Sequence, residues 1–378
     1  MKQTIFFVST NSYWGGSETL WSETALLLAE KGHTVKFAVR YKHPFIQKLQ
    51  AKGASHVDLS SIDYPSLPEK ILRKAKLKPH PFLAAIIKSK PQLVVISQGN
   101  NVDGKYYMTV CRQQGIPYVT LSQLVTDLLL TFIKDEEINE LRACYGAARV
   151  NYFVSGANLA MHKTMIGEEH GNSKTVFNPF TVPVDVPEEF PAVINGQYNI
   201  ALVGRLETYH KGHDLLIQVL QDTKWKSRPV TFNFYGTGKH QLLTERLIKM
   251  YGVTNIVFKG HVQDIATVWT TNHLLVLPSR MEGQSLALIE AMWCYRGAVV
   301  TDVGGAIELI KNGETGFIAP FPTVNAIDAA LEEAWALRNE WEVIGRRAGK
   351  KVREIYRDDP IASFTTEIEK VFRDLTPT

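Results

Sequence analysis

Residues 274–292 read LLVLPSRMEGQSLALIEAM. The opening LLVL is a short continuous apolar run, the pattern of a strand buried on both faces of a parallel sheet. The strand is expected to end at Leu277, a loop to carry Glu282 and Gly283, and a helix to begin near Ser285. In an open α/β sheet, ligands bind beyond the carboxyl ends of the strands, and a helix start there offers unpaired N–H groups and partial positive charge. The backbone N–H groups of Gln284, Ser285 and Leu286 are therefore expected to point at a phosphate. A carboxylate is a poor phosphate ligand but accepts readily from sugar hydroxyls. Glu282 and Glu290, flanking this helix start, thus fit a ligand that carries a diphosphate between two sugars. Plainer readings exist, with Glu282 a simple loop carboxylate and Glu290 part of a solvated helix face. Against the second stands the company of Glu290: Leu288, Ile289, Ala291 and Met292.

The same succession of strand, loop and helix runs outward from this stretch. Apolar runs at 198–203, 230–235, 256–259, 298–301 and 316–318 read as strands, and 215–220, 241–250 and 286–293 as helices between them. Directly after the first of these strands come Val203-Gly204-Arg205-Leu206 and then Lys211-Gly212. Gly204 lets the chain leave the sheet. Arg205 and Lys211 can converge on one anion, a planar fork and a mobile point charge that together suit a diphosphate. Taken alone, they are also ordinary loop cations.

Upstream, runs at 4–9, 34–39, 93–97, 118–121, 151–154 and 175–177 form a second set of strands. The first leads into Trp14-Gly15-Gly16-Ser17-Glu18 and a helix over 17–31, where Leu20, Leu27 and Leu28 make an apolar stripe that Gly32 ends. Gly15 and Gly16 permit a close backbone approach to a ligand, although such a turn also serves as a plain connection. The loop is not G-x-G-x-x-G, and G-x-x-x-x-G-K-[ST] is absent, so neither a nicotinamide dinucleotide nor a P-loop nucleotide is favoured. Residues 178–196 carry four prolines and little periodicity, as a linker does. The expected fold class is therefore α/β, with two doubly wound Rossmann-like domains. The expected divisions are 1–183, 184–359 and a C-terminal helix over 360–378; that the two domains face a central cleft and that this helix packs back on the first domain are implied by the family resemblance given below.

Composition agrees with this plan. The chain has 378 residues, 45% hydrophobic and 21% charged, which suits two globular domains and excludes a disordered chain. No apolar run approaches the roughly 18 residues that span a bilayer. The N-terminal MKQTIFFVSTNSYWGG reads as a buried strand rather than a signal peptide. Cys111, Cys144 and Cys294 are scattered, with no C-x-x-C pair, so neither a zinc cage nor a disulfide framework is expected, and the cytoplasm is the expected compartment. The formal net charge is +4, but 11 basic and 3 acidic residues lie between Arg40 and Lys90. That local excess points to an anionic partner near the N-terminal half. Within it, residues 70–78 (KILRKAKLK) interleave Ile71, Leu72, Ala75 and Leu77 with five cations. As a helix this stretch would lie on an anionic membrane surface, on the inner face of the membrane; the alternative is a solvated helix face. No nucleic-acid partner is expected.

The segments ALVGRLETYHKGHDLL, FYGTG, LPSRMEGQSLALIEAM and TDVGGAIELIKNGETGFIA carry a resemblance. The chain resembles the retaining glycosyltransferases of the GT-B fold, in glycosyltransferase family four, which includes bacterial polysaccharide and glycolipid enzymes. The likeness extends over essentially the whole chain and is densest over residues 204–317. The Glu-x7-Glu signature, Glu282 to Glu290, is matched in full. The resemblance implies that Arg205 and Lys211 bind the diphosphate of a nucleotide-sugar donor, that Glu290 binds the ribose hydroxyls, and that Glu282 contacts the donor sugar. It implies an approach of Gly15 and Gly16 to the diphosphate and sugar from the other domain, and a saccharide or lipid-linked acceptor on the N-terminal domain. It implies no cofactor and no metal, because Arg205 and Lys211 supply the positive charge. Two positions depart from the family pattern. Gln284 and Ser285 stand where Phe-Gly is usual. After the strand at 118–121, relatives often carry a histidine, and this chain reads Ser122-Gln123. Gln123 is expected to face the cleft and orient the donor sugar, since an amide donates and accepts the same hydrogen bonds but does not titrate. The rivals to this reading are an epimerase or phosphorylase on the same fold, or a catalytically silent nucleotide-sugar-binding partner.

Overall fold

The computed structural model describes residues 2–60, 80–127, 133–186 and 188–375; the basic stretch 70–78 lies outside them. The apolar runs become strands of two parallel sheets. In the first, β1 (Thr4–Ser9), β2 (Thr34–Val39), β3 (Ser55–Asp58), β4 (Leu93–Gln98), β5 (Tyr118–Ser122), β6 (Asn151–Phe153) and β7 (Ser173–Thr175) lie in the order β3-β2-β1-β4-β5-β6-β7. In the second, β8 (Tyr198–Val203), β9 (Val230–Tyr235), β10 (Ile256–Gly260), β11 (Leu274–Leu277), β12 (Gly297–Thr301) and β13 (Phe317–Ala319) lie in the order β10-β9-β8-β11-β12-β13. Each sheet has apolar cores on both faces, which is why its central strands read as unbroken apolar runs.

Two strands differ from the sequence expectation. β3 (SHVD) was not expected, because an edge strand with two exposed and two half-buried residues carries no apolar run. The last strand of the first sheet is Ser173–Thr175 rather than 175–177; it too is an edge, and its polar SKT gives no signal.

The chain divides into two units, Met1–Pro179 with Asp358–Thr378, and Phe180–Arg357. The first division falls a few residues before 183/184 for a packing reason. Phe180 lies 4.7 Å from Trp293 and 5.6 Å from Tyr356, ring to ring, and Val182 is buried in the same core, so these residues belong to the second unit. In the first unit, helix Pro360–Leu375 sets Phe364, Ile368, Val371 and Phe372 into the core beneath Leu20, Trp21 and Leu28 of helix Gly16–Glu30. Lys31 Nζ and Glu369 Oε1 pair at 2.9 Å at its edge. Cys111, Cys144 and Cys294 are all buried free thiols.

In each sheet the winding reverses once, between β1 and β4 and between β8 and β11. Such a reversal opens a crevice at the carboxyl ends of the two strands, where ligands of open α/β sheets sit. In the second unit, β8 leads into Gly204-Arg205 and β11 into Pro278-Ser279-Arg280-Met281-Glu282.

Candidate functional site

At the β8–β11 reversal two loops are fastened together. Gly212 adopts φ +70 and caps helix His213–Leu220; a Cβ there would overlap the Pro278 carbonyl oxygen, so only glycine fits. The Arg280 backbone N–H donates to His210 O at 2.9 Å. The Arg280 guanidinium forks onto Asp214 at 2.8 and 2.6 Å and also donates to Tyr209 O at 3.0 Å. This fastening sets Lys211 beside Glu282: Nζ and Oε1 are 2.7 Å apart, and the side chains are only 16% and 10% exposed. Ser279 Oγ donates to the same oxygen at 2.7 Å. Burial alone would push the Glu282 carboxyl up, but the Lys211 ammonium, with His210 and Ser279, more than offsets it and holds Glu282 below the usual carboxylate range.

Arg205 is more open, at 41% exposed, and pairs with Glu207 at 3.3 Å. Glu207 also lies 3.8 Å from His210 and 3.8 Å from Lys239. A Cβ on Gly204 would reach Lys211 Cδ at an ordinary 3.5 Å, so the protein itself does not require glycine at this position. Gly304, at φ +56, packs its backbone against the carbonyls of Glu282 and Gly283, and Gly305 N donates to Gly283 O at 2.8 Å.

The expected helix is found at Leu286–Trp293, and Ser285 is its N-cap with no side-chain capping bond. The first-turn N–H groups are therefore not taken up by the cap residue. Gln284 is buried, and its Oε1 has no hydrogen-bond partner among the described residues. An orphaned buried oxygen is costly in a native structure and draws a donor from whatever binds there. At the fifth residue of the helix Glu290 is buried, and it lines a pocket of about 350 Å³ with Thr181, Gly204, Arg205, Tyr235, His261 and others. Its Oε1 accepts from Thr181 Oγ1 at 3.1 Å and Thr181 N at 3.5 Å. Burial pushes its carboxyl up to about 7, with the Thr181 bonds acting in the opposite direction.

The second unit thus brings together Gly204, Arg205, Lys211, Glu282, Gly283, Gln284, Ser285, Leu286 and Glu290. Gly15, Gly16 and Gln123 belong to the first unit. Gly15 is the extended N-cap of helix Gly16–Glu30, and a Cβ there would meet nothing within 4 Å. Gln123 follows β5, but its amide is not free: Asn178 Nδ2 donates to Oε1 at 2.7 Å, and Nε2 donates to Asn178 Oδ1 at 3.3 Å. One N–H and one lone pair of that amide are left for anything else.

Sequence reasoning missed three residues. Asp214 and Thr181 carried no local signal, since their partners lie 66 and 109 positions away. Glu18, quoted above only as the end of the Trp14–Glu18 turn, is wholly buried, accepting from Asn11 Nδ2 at 2.6 Å, from Trp21 Nε1 at 3.0 Å and from the Tyr41 hydroxyl. Among the described residues, no group of three or more His, Cys, Asp or Glu side chains could hold a metal ion.

The Arg280–Asp214 fork predicts a measurable coupling. A double-mutant cycle of Arg280→Ala and Asp214→Ala, read by urea denaturation, is expected to give about 1–2 kcal/mol, because the pair is bidentate and only 20% and 23% exposed. Additive single mutants would show that the fork does not fasten the loops.

Residues 197–358 match the model of a protein family described as "Glycosyl transferases group 1". A lipopolysaccharide core biosynthesis mannosyltransferase of Rhizobium leguminosarum bv. viciae is 29% identical over 187 residues, 47% of this chain and 51% of that one. A capsular polysaccharide biosynthesis glycosyltransferase of Staphylococcus aureus is 29% identical over 171 residues, 44% of each chain. The chain spans about half the length of such curated relatives. Among solved structures, Anabaena HepE in complex with UDP-glucose superposes with a TM-score of 0.74 at 16% identity, covering 98% of this chain and 100% of that one. S. aureus TarM, in complex with fondaparinux, alpha-GlcNAc-glycerol and UDP, gives 0.70 at 14% identity, covering 98% and 99%. These likenesses, with the two doubly wound parallel sheets, establish the GT-B fold.

Proposed function

We propose, from the match of residues 197–358 to the group 1 glycosyl transferases, that the chain is a retaining glycosyltransferase. It moves a sugar from a nucleoside-diphosphate sugar to a saccharide or lipid-linked acceptor in polysaccharide or glycolipid biosynthesis. The observation that carries the proposal is the buried Lys211–Glu282 pair at the β8–β11 reversal, with Arg205 and the Glu290 pocket alongside. Arg205 and Lys211 take the donor diphosphate and stabilise it as it leaves. The first-turn N–H groups from Leu286 onward face the same charge, and Glu290 takes the ribose hydroxyls. Glu282, kept ionised by Lys211, accepts from a hydroxyl of the donor sugar, and Gln284 supplies a further acceptor. Catalysis on this reading is positioning together with preorganised stabilisation of the leaving group.

No metal is needed in this reading, because two cations already face the diphosphate. Incubation with UDP-, GDP- and ADP-sugars and a saccharide acceptor is expected to release nucleoside diphosphate and form a glycoside of unchanged anomeric configuration, with EDTA present or absent. An epimer or a sugar phosphate as product would replace the transferase reading. Loss of turnover in EDTA, restored by magnesium or manganese, would overturn the metal-free part. The proposal includes peripheral contact with an anionic membrane through residues 70–78. Among the described residues no helix is long and apolar enough to cross a membrane.

A further inference from the structure

The two oxygens of the Glu290 carboxylate stand in different surroundings. Oε1 is taken by the hydroxyl and backbone N–H of Thr181, while Oε2 accepts no hydrogen bond among the described residues. Glu290 itself is 8% exposed and lines the pocket that Thr181, Gly204 and Arg205 share. Thr181 lies in the proline-rich segment that opens the second unit, 109 positions before the helix that carries Glu290. Its own side chain is exposed, so it is not there to fill a core.

We infer that Thr181 is the positioning residue of the nucleotide site: it fixes the Glu290 carboxylate by one oxygen and thereby presents the other to the vicinal hydroxyls of a ribose. The inference rests on the donor reading given above. Geometry gives its logic. A carboxylate receives hydroxyl donors best when it is ionised and held in one rotamer, and a bond to one oxygen favours both. Burial works against ionisation here, pushing the carboxyl to about 7, and the two bonds from Thr181 are what pull the other way. The other titratable or charged groups around Glu290 are Arg205 and His261 in the pocket, Tyr235 at the end of β9, and Cys294 one turn along the helix. With the Thr181 hydroxyl removed, the carboxyl is protonated at a higher pH still, so a nucleotide binds less well near neutrality and recovers as the solution becomes alkaline.

Three proteins test this: wild type, Thr181→Val, which keeps shape and N–H but loses the hydroxyl, and Thr181→Ser, which keeps the hydroxyl. Calorimetry from pH 6 to 8.5 with UDP, GDP and ADP, and with the 2′-deoxy form of whichever binds, reads affinity. At pH 7 the valine variant is expected to bind the ribonucleotide about tenfold more weakly, while serine stays within about twofold of wild type. The valine deficit should shrink toward pH 8.5, and the preference for ribose over deoxyribose should fall with it. Thr181 is exposed, so both variants are expected to keep the wild-type unfolding midpoint, which is measured alongside. Wild type and valine variant with equal affinity at every pH, and equal preference for ribose, would overturn the inference while leaving the donor reading intact. A wild type that binds none of the three nucleotides would remove the donor reading, and this inference with it.

Discussion

Lys211→Ala is expected to lose about ten- to a hundredfold in turnover and to destabilise the second unit together with it. Two effects combine. The diphosphate loses a charge-assisted contact, roughly 1.5–3 kcal/mol. Glu282 is left buried without its cation, and breaking a buried pair in this way costs about 3 kcal/mol. The second effect has a signature. Adding Glu282→Gln to Lys211→Ala removes the stranded charge, so the double variant should regain most of the stability and none of the turnover. Arg205→Ala is the control. Arg205 is exposed and its partner Glu207 lies near the surface, so such a pair contributes about 0–1 kcal/mol. Its loss should weaken donor binding and leave the unfolding midpoint nearly unchanged. A Lys211→Ala protein with wild-type stability and wild-type turnover would dismiss both the pair and its proposed role.

Gly212→Ala should be almost as damaging, through the backbone alone. A side chain at φ +70 is strained by about 1 kcal/mol, and the new Cβ would overlap the Pro278 carbonyl, which has no rotamer by which to move aside. Together these amount to about 2–4 kcal/mol. Relief requires the 205–212 loop to lift from the 278–282 loop, which parts Lys211 from Glu282. Donor affinity should therefore fall further than stability explains. Gly204→Ala is predicted to behave oppositely, since its Cβ meets Lys211 at an ordinary distance: full stability, with weaker donor binding because the methyl group occupies ligand space. Urea midpoints and nucleotide affinities on the two variants separate the cases. A Gly212→Ala protein as stable as wild type would show that the close approach does not matter.

The parts of this molecule that were legible in the sequence are those written locally. The runs at Leu274–Leu277 and Tyr198–Val203 are buried on both faces, so their apolar continuity is itself the signal. Edge strands carry less: Ser55–Asp58 has nothing apolar enough to separate it from a loop, and Ser173–Thr175 has only polar residues. The loop cations and the two glutamates were visible because each directly follows or belongs to such a strand–loop–helix passage. What holds them was not visible. The Arg280–Asp214 fork, the seat of Gly212 under Pro278 and the grip of Thr181 on Glu290 each join segments far apart in sequence, and residue type alone does not disclose such partners. Gln123 shows the converse. Its position after β5 was read from the strand, yet its amide is paired with Asn178, a partner 55 residues away that a one-dimensional pattern does not reveal.

The last helix, Pro360–Leu375, belongs to the core of the first unit, while residues 180–357 form the second. The first unit is therefore discontinuous in the chain and the second is not. On the ribosome, chains emerge from the N-terminus, and units that have all their residues fold as they appear. The sheet that begins with β1 must wait, with the apolar face of Leu20, Trp21 and Leu28 uncovered, until Phe364, Ile368, Val371 and Phe372 have been made. Its partner is complete by Arg357. The unit begun first is thus the one completed last.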